Sequence, residues 1–517
     1  MPKVNRRLFV VGGLAAGGAL AVPTLAGAAP ATVRAAAPRP PSVPDRPTGP
    51  DPFGMGVASG EPRPDGMVLW TRLATRPLEI GGGMGDRPVP VDWQVATDER
   101  FADVVASGTE TTGPADGHSV HAEPRGLPAG AELFYRFRVN GHISPIGRTR
   151  TTPAPGAAPG SMTFATASCQ HLEEGWYHAH HFIAADEPDL VLFLGDYMYE
   201  TRSGADDVVR RYVETDIVDD LDGYRLRYAQ TALDPGLQAA RAVAPWLVVF
   251  DDHELRDNWW GAGPGWSAAR KRASFQAYWE NMPLPRSLRP TGPAIPLYRR
   301  VRWGTLAGFH MLDTRQYRWR QARGGCAEVE RADRTLTGAA QERWLLDGLA
   351  GRRARWDLLG QQAFFAGRDG DGRDWTCDVN KDAWDGYPAS RRRVVQGWLD
   401  RRVRNPVVLT GDVHRHWAND LRLNDADQDS PVVGTELVTT SVTSNSSGEV
   451  PPDLAYNPHL NYIGNSRGYL RARLTGTELT AEFMKVSSVL EPDPAKVTLS
   501  VARRFHVADG RPGLLPG

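Results

Sequence analysis

What a chain like this can fold into is narrowed most by short, unbroken apolar runs that end abruptly in polar side chains. They are Phe164–Ala167, Leu190–Leu194, Leu247–Phe250, Leu306–Leu312, Leu358–Leu359 and Val407–Thr410. Such runs read as strands buried on both faces, and strands of that kind occur inside layered α/β structures. Longer helical patterns lie between them, for instance Ser267–Asn281 and Ala339–Leu349. The alternation predicts an α/β domain from residue 161 onward.

The chemistry falls at the ends of the runs. Leu190-Val191-Leu192-Phe193-Leu194 turns at Gly195 and presents Asp196 and then Tyr199. Open α/β sheets bind ligands beyond the carboxyl ends of their strands. A carboxylate and a phenol at this spacing can converge on one cation, one oxygen bridging two metals and the other holding a hard, highly charged ion. Taken alone, Gly-Asp after an apolar run is equally a plain turn. After Leu247-Val248-Val249-Phe250 comes Asp251-Asp252-His253-Glu254. Adjacent carboxylates repel, and burying them without a cation is costly, so a metal accounts for them most simply. His253 is then a ligand, a proton donor or a satisfied loop histidine. After Val407–Thr410 comes Gly411-Asp412-Val413-His414, where an aspartate and a histidine two apart can approach two metals side by side. A fourth end, Ser168-Cys169-Gln170, carries a cysteine that is either a buried apolar filler or a metal thiolate. If these ends share one edge of a sandwich, carboxylates, an imidazole, a phenol and a thiolate meet in one crevice.

Upstream, residues 51–152 have an all-β texture. Met67–Leu73, Val91–Ala96 and Phe134–Val139 are β-branched and aromatic, separated by turns such as Pro62-Arg63-Pro64-Asp65-Gly66. A small sandwich of the immunoglobulin or fibronectin kind is expected there. Residues 151–160, rich in Pro, Ala and Gly, read as a linker. The first 28 residues read as an export signal. Arg6-Arg7 resembles the twin-arginine pattern, a weak apolar run follows, and Ala26-Gly27-Ala28 suits cleavage. Residues 29–50 read as a disordered leader. The expected location is therefore outside the cell, reached through the twin-arginine export machinery. In an oxidising space free thiols are a liability. Of the three cysteines, Cys326 and Cys377 lie in polar, loop-like contexts and are expected to pair.

Several functions are excluded. A formal net charge of -1 gives no reason to expect specific nucleic-acid binding. Gly56-Val57-Ala58-Ser59-Gly60 lacks the Gly-x-Ser-x-Gly spacing of a nucleophile elbow. Neither a phosphate-binding Gly-x-x-x-x-Gly-Lys-Ser/Thr loop nor a His-Glu-x-x-His zinc helix is present.

The order of motifs resembles the PhoD-like alkaline phosphatases and phosphodiesterases, which belong with the calcineurin-like metallophosphoesterases and purple acid phosphatases. The likeness runs through Gly56–Pro62, the Cys169, Asp196 and Asp252 segments, Leu312–Arg318, Gly360-Gln361-Gln362, Asp385-Gly386-Tyr387-Pro388 and the Asp412 segment. It implies a four-layer α/β/β/α metallophosphoesterase domain over 161–517 after the small β domain. It also implies Fe3+ held by Cys169, Asp196, Tyr199 and His414, with Ca2+ beside it held by Asp196, Asp252, Asn258 and Asp412. The chain departs from relatives at Leu255-Arg256-Asp257-Asn258, where paired asparagines are common, and at Glu61. The activity implied is metal-assisted hydrolysis of small-molecule phosphoesters by a monomer, with His253 and Asp196 in catalytic roles and His253 and Arg391 contacting the phosphoryl group. A phosphodiesterase of the phospholipase D kind, acting on phospholipids or polymeric phosphodiesters, is the alternative, and a metal-stabilised binding module without catalysis is the other.

Overall fold

The computed structural model describes residues 47–517 apart from 204–207, 214–216, 262–266, 352, 371, 373–376, 378, 428 and 447–451. The expected export signal and nearly all of the expected leader lie outside the described residues.

The N-terminal strands are β1 (Val57–Arg63), β2 (Gly66–Arg72), β3 (Val89–Ala96), β4 (Val104–Thr112), β5 (Ser119–Ala122), β6 (Glu132–Val139), β7 (His142–Ile143) and β8 (Gly147–Arg150). β6 shows the period-two logic: Leu133, Tyr135, Phe137 and Val139 are buried and the residues between them are not. The apolar runs become β9 (Ser161–Ala167), β10 (Leu190–Leu194), β11 (Pro245–Val249), β13 (Ala307–Met311), β14 (Trp356–Gly360) and β15 (Pro406–Thr410), with β12 (Arg299–Trp303) ahead of β13. Helices α1 (His178–Asp186), α2 (Leu221–Ala232), α3 (Pro235–Val243), α4 (Ala268–Asn281), α5 (Cys326–Val329), α6 (Gly338–Leu349) and α7 (Pro388–Asp400) fall between them. α4 starts where Ser267 accepts a hydrogen bond from the Arg270 amide. The chain ends in β16 (His416–Arg422), β17 (Val432–Val438), β18 (Leu460–Gly464), β19 (Gly468–Thr475), β20 (Glu478–Val486), β21 (Leu499–Ala508) and β22 (Leu515–Pro516).

Three sheets result. One has ten strands in the order β22-β21-β20-β19-β9-β10-β11-β1-β2-β5, one has seven in the order β12-β13-β14-β15-β17-β16-β18, and the third joins β3, β4, β6, β7 and β8. Phe164, Leu192 and Val248 of the ten-stranded sheet share one apolar core with Phe309, Leu358, Val407 and Leu437 of the seven-stranded sheet. Phe164 meets Phe309 edge-on at 5.8 Å between ring centres. The alternate residues Leu359 and Val408 face the other way, into a core with Leu345, Val394 and Trp398 of α6 and α7. This two-sided burial is why the runs are apolar without a break.

Residues 51–152 do not stand apart. β1 lies parallel to β11, with Ser59 opposite Pro245 and Gly60 opposite Trp246. Gly60 permits the approach, since a Cβ there would lie 2.4 Å from the Pro283 carbonyl oxygen and 2.8 Å from that of Trp246. Val57, Met67 and Leu69 pack on Val91, Leu133, Tyr135 and Phe137. A two-layered β unit is therefore present, but one layer is the end of the ten-stranded sheet. The 151–160 linker marks a boundary along the chain that the sheet does not respect. Cys326 and Cys377 are joined by a disulfide, their Cα atoms 5.1 Å apart.

Candidate metal centre

Four strands deliver the chemistry. β9, β10 and β11 are mutually parallel in the ten-stranded sheet, and β15 comes from the seven-stranded one. Past their ends, Cys169, Asp196, Asp412 and His414 all take positive φ, between 53° and 64°. A non-glycine residue there is strained by roughly 1–2 kcal/mol, and such strain gathers at functional sites. Two glycines allow the ends to touch. A Cβ on Gly195 (φ +100°) would lie 2.5 Å from that of Asp251, and one on Gly411 would lie 2.9 Å from the Ser168 hydroxyl and 3.0 Å from the Leu194 carbonyl. The Cys169 amide donates to the Gly195 carbonyl at 3.1 Å, and the Gln170 amide to that of Asp196 at 3.0 Å.

The side chains converge as three overlapping donor sets, Cys169–Asp196–His414, Asp196–Asp252–His253 and Asp251–Asp252–Asp412, each with its ligand atoms within 4.8 Å of one another. Tyr199 joins the first set: its hydroxyl donates to Asp196 Oδ2 at 3.0 Å and lies 3.2 Å from His414 Nε2. His414 Nδ1 faces the Asn445 carbonyl at 2.8 Å, so Nδ1 carries the proton and Nε2 offers its lone pair inward. Burial depresses the His414 pKa to about 4, keeping the ring neutral.

The nest is too anionic to be at rest without cations. Burial, then the neighbouring Asp252 charge, pushes the Asp196 carboxyl well above its usual range. Burial likewise pushes Asp412 up to about 7 against the pull of Arg315. Burial and Asp196 raise the Cys169 thiol. Asp252 is held low, Arg315 and His253 outweighing its burial. Asp251 Oδ2 and Asp252 Oδ1 are buried with no hydrogen-bond partner, an arrangement that a cation relieves. Sulfur, phenol oxygen and imidazole on one side and carboxylates on the other form a donor set that could hold more than one metal cation.

Other members of the site carried weaker sequence signals. Arg315, fully buried, sets its Nε 2.5 Å from Asp251 and its Nη2 2.9 Å from Asp382. It belongs to the Leu312–Arg318 motif, but nothing in that spelling gives its partners. The Glu254 carboxylate accepts from the amides of Asp196, Tyr197 and Asp251 at 3.2, 2.7 and 2.8 Å, lashing the ends of β10 and β11 together. Glu200 Oε2 lies 2.8 Å from His253 Nδ1. Ser444 donates to the Tyr199 oxygen at 2.7 Å, from a Thr/Ser-rich loop that advertises nothing.

Two expected residues stand differently. Asn258 reaches the cluster through its backbone, its amide donating to Asp252 Oδ2 at 2.7 Å, while its exposed side chain donates to Asp257. Arg391 is engaged by Asp385 at 2.5 Å and Asp425 at 3.2 Å. Glu61 is held by Arg299 at 2.6 Å.

The sequence profile of PhoD-like phosphatases matches residues 164–483, and that of the PhoD-like phosphatase N-terminal domain matches residues 36–153. The chain belongs to the PhoD-like phosphatase family. Membership makes it an enzyme, a phosphoester hydrolase. Among relatives of this PhoD-like phosphatase, alkaline phosphatase D of Bacillus subtilis (strain 168) is 42% identical over 467 residues, covering 86% of this chain and 79% of that one. A solved structure described as the structure of PhoD superposes with a TM-score of 0.87 at 40% identity, covering 91% of this chain and 93% of the other.

Proposed function

We propose that this PhoD-like phosphatase is an exported, monomeric alkaline phosphatase with phosphodiesterase activity, releasing phosphate from small organic phosphoesters at an Fe3+–Ca2+ centre. The observation that carries this is the meeting of Cys169, Asp196 and His414 donor atoms within 4.8 Å, with Tyr199 on Asp196. Cys169, Asp196, Tyr199 and His414 hold the ferric ion in this reading. Asp196, Asp252, Asp412 and Asn258 would hold the calcium ion beside it. When bound, the cations supply Lewis acidity that makes a water nucleophilic and neutralises phosphoryl oxygens. We read the layering as α/β/β/α, from the opposite-facing Leu358 and Leu359. Export rests on the Arg6-Arg7 pattern, and no helix among the described residues is long and apolar enough to cross a membrane.

His253 is the proton donor. Burial alone would lower its pKa, but Asp252, Asp196 and Glu200 together hold the imidazolium well above the usual histidine range. With Nδ1–H on Glu200, Nε2–H is left for a phosphoryl oxygen or the departing alkoxide. Arg391, committed to Asp385 and Asp425, is the weaker phosphoryl contact of the two.

Asp196→Asn tests the site. We expect loss of bound metal and at least a hundredfold loss of turnover of a chromogenic phosphodiester, with the circular dichroism spectrum retained. Wild-type turnover by that variant overturns the assignment. Choline released from phosphatidylcholine faster than phosphate from monoesters would instead favour the phospholipase D alternative.

A further inference from the structure

A cleft of about 920 Å3 opens away from the metal centre, walled by Pro62 of β1, Pro64 of the β1–β2 turn, Pro153 and Pro155 of the linker, Arg302 of β12 and Arg353 ahead of β14. Arg302 pairs with Gly308 at the start of β13, whereas Met311 at its other end leads into Asp313 and Arg315. The cleft thus lies a strand's length, roughly 15 Å, from the metal-side edge of the sheet. Its walls are joined. The Thr305 amide donates to the Ala157 carbonyl at 2.8 Å, and Gly304, at φ +55°, fits because a Cβ there would sit 2.3 Å from that same oxygen.

Five arginines line the cleft against a single glutamate, Glu61. Glu61 answers Arg299 and Glu123 answers Arg63. Arg300 donates from Nε to His310 Nδ1 at 2.8 Å, and His310 Nε2 faces Asp357 at 2.8 Å. Asp357, the nearest remaining carboxylate, is therefore already engaged. Arg302 and Arg353 have no hydrogen-bond or ion-pair partner among the described residues. Burial presses Arg300 and Arg302 toward their neutral forms, and Arg353 adds to that against the partial pull of Asp357.

We propose that this cleft is a second anion site, in which Arg302 and Arg353 hold a doubly charged tetrahedral oxyanion between the linker and the edge of the seven-stranded sheet. Guanidinium forks match tetrahedral oxyanions with paired N–H donors. The proline walls offer no N–H of their own, and the charged donors of the lining are the arginines, with Thr152 and Ser287 also present. Phosphate, the product of the enzyme's own reaction, is of this class. Occupancy ties Arg353, ahead of β14, to Arg302 of β12 and stabilises the fold without touching the metal centre.

Selenate is the probe, because it mimics the charge and shape and is not a substrate for phosphoester hydrolysis. In crystals of the holoenzyme soaked in selenate, an anomalous selenium peak is expected between Arg302 and Arg353. In solution, sulfate at tenfold its Kd should raise Tm by roughly 2 °C over chloride at equal ionic strength. Arg302→Ala/Arg353→Ala should abolish that rise and leave kcat/KM unchanged, while the control Arg473→Ala/Arg511→Ala, with the same charge change, keeps it. Selenium only at the metal centre, a Tm rise that survives in Arg302→Ala/Arg353→Ala, or an equal loss in the control overturns the proposal.

Discussion

Tyr199 stands between Asp196, His414 and Ser444, so its oxygen is where the surroundings of the proposed iron would be read. The Ser444 hydroxyl donates to that oxygen at 2.7 Å and is itself fixed by accepting from the His171 amide at 3.1 Å. A hydrogen bond to a charged oxygen is worth about 2 kcal/mol. Removing it raises the phenolate level and narrows the gap to the metal. Ser444→Ala should shift a tyrosinate-to-iron visible band to longer wavelength by roughly 20 nm, the equivalent of that energy, with iron content unchanged. Tyr199→Phe should abolish the band, and an unmoved band in Ser444→Ala would place Ser444 outside the iron's surroundings. Glu200 acts on His253 in the same manner. Its carboxylate raises the His253 pKa, so Glu200→Gln should lower it. Activity that needs a protonated His253 is lost as pH rises through that pKa, so the basic limb of the kcat profile should move to lower pH. We expect kcat to fall roughly 10–100-fold. Both supporting residues escaped sequence reading for the same reason: a Glu beside a Tyr, or a Ser in a Thr/Ser-rich loop, gains meaning only from its neighbours in space.

The strands were legible because burial on two faces writes a continuous apolar run, and β10, β11 and β15 begin or end within two residues of the runs that announce them. Their neighbours were not legible. Nothing near Ser59 indicates that it will face Pro245, or that β19 will pair with β9. Sheet order is settled by long-range contacts, which leave only small marks such as Gly60. At this scale Gly195 is the sensitive position. Gly195→Ala meets both a positive φ and the side chain of Asp251, and should destabilise the protein by about 3 kcal/mol or more in urea unfolding. β5 adds a pH dependence. His121 donates from Nδ1 to the Leu284 carbonyl at 2.8 Å and stacks on Trp279. Burial holds its pKa at about 3, against 6.5 unfolded. The folded state binds fewer protons in that window, so this residue's contribution is intact above pH 6.5 and lost as pH falls toward 3. His121→Gln should reduce the loss of stability between pH 7 and 4.5 by about 2 kcal/mol.

Across the whole molecule, the chain boundary near residue 155 is not a boundary between folding units. A fragment beginning at Ser161 lacks β1, β2 and β5, leaving the edge of β11 bare along Pro245 and Trp246. It should be insoluble or molten, as judged by dye binding and lost near-ultraviolet dichroism; a folded, active fragment would show that the strands are dispensable. The disulfide spans a separation of 51 residues, and its loss through Cys326→Ser/Cys377→Ser should cost about 2–4 kcal/mol.

The crevice borrows Cys169 and Asp196 from one sheet and Asp412 and His414 from the other. Two of the three donor sets, Cys169–Asp196–His414 and Asp251–Asp252–Asp412, are complete only once both halves have docked. If the proposed ferric centre forms there, colour is a clock in refolding: its appearance times the closing of the sandwich rather than the formation of any strand.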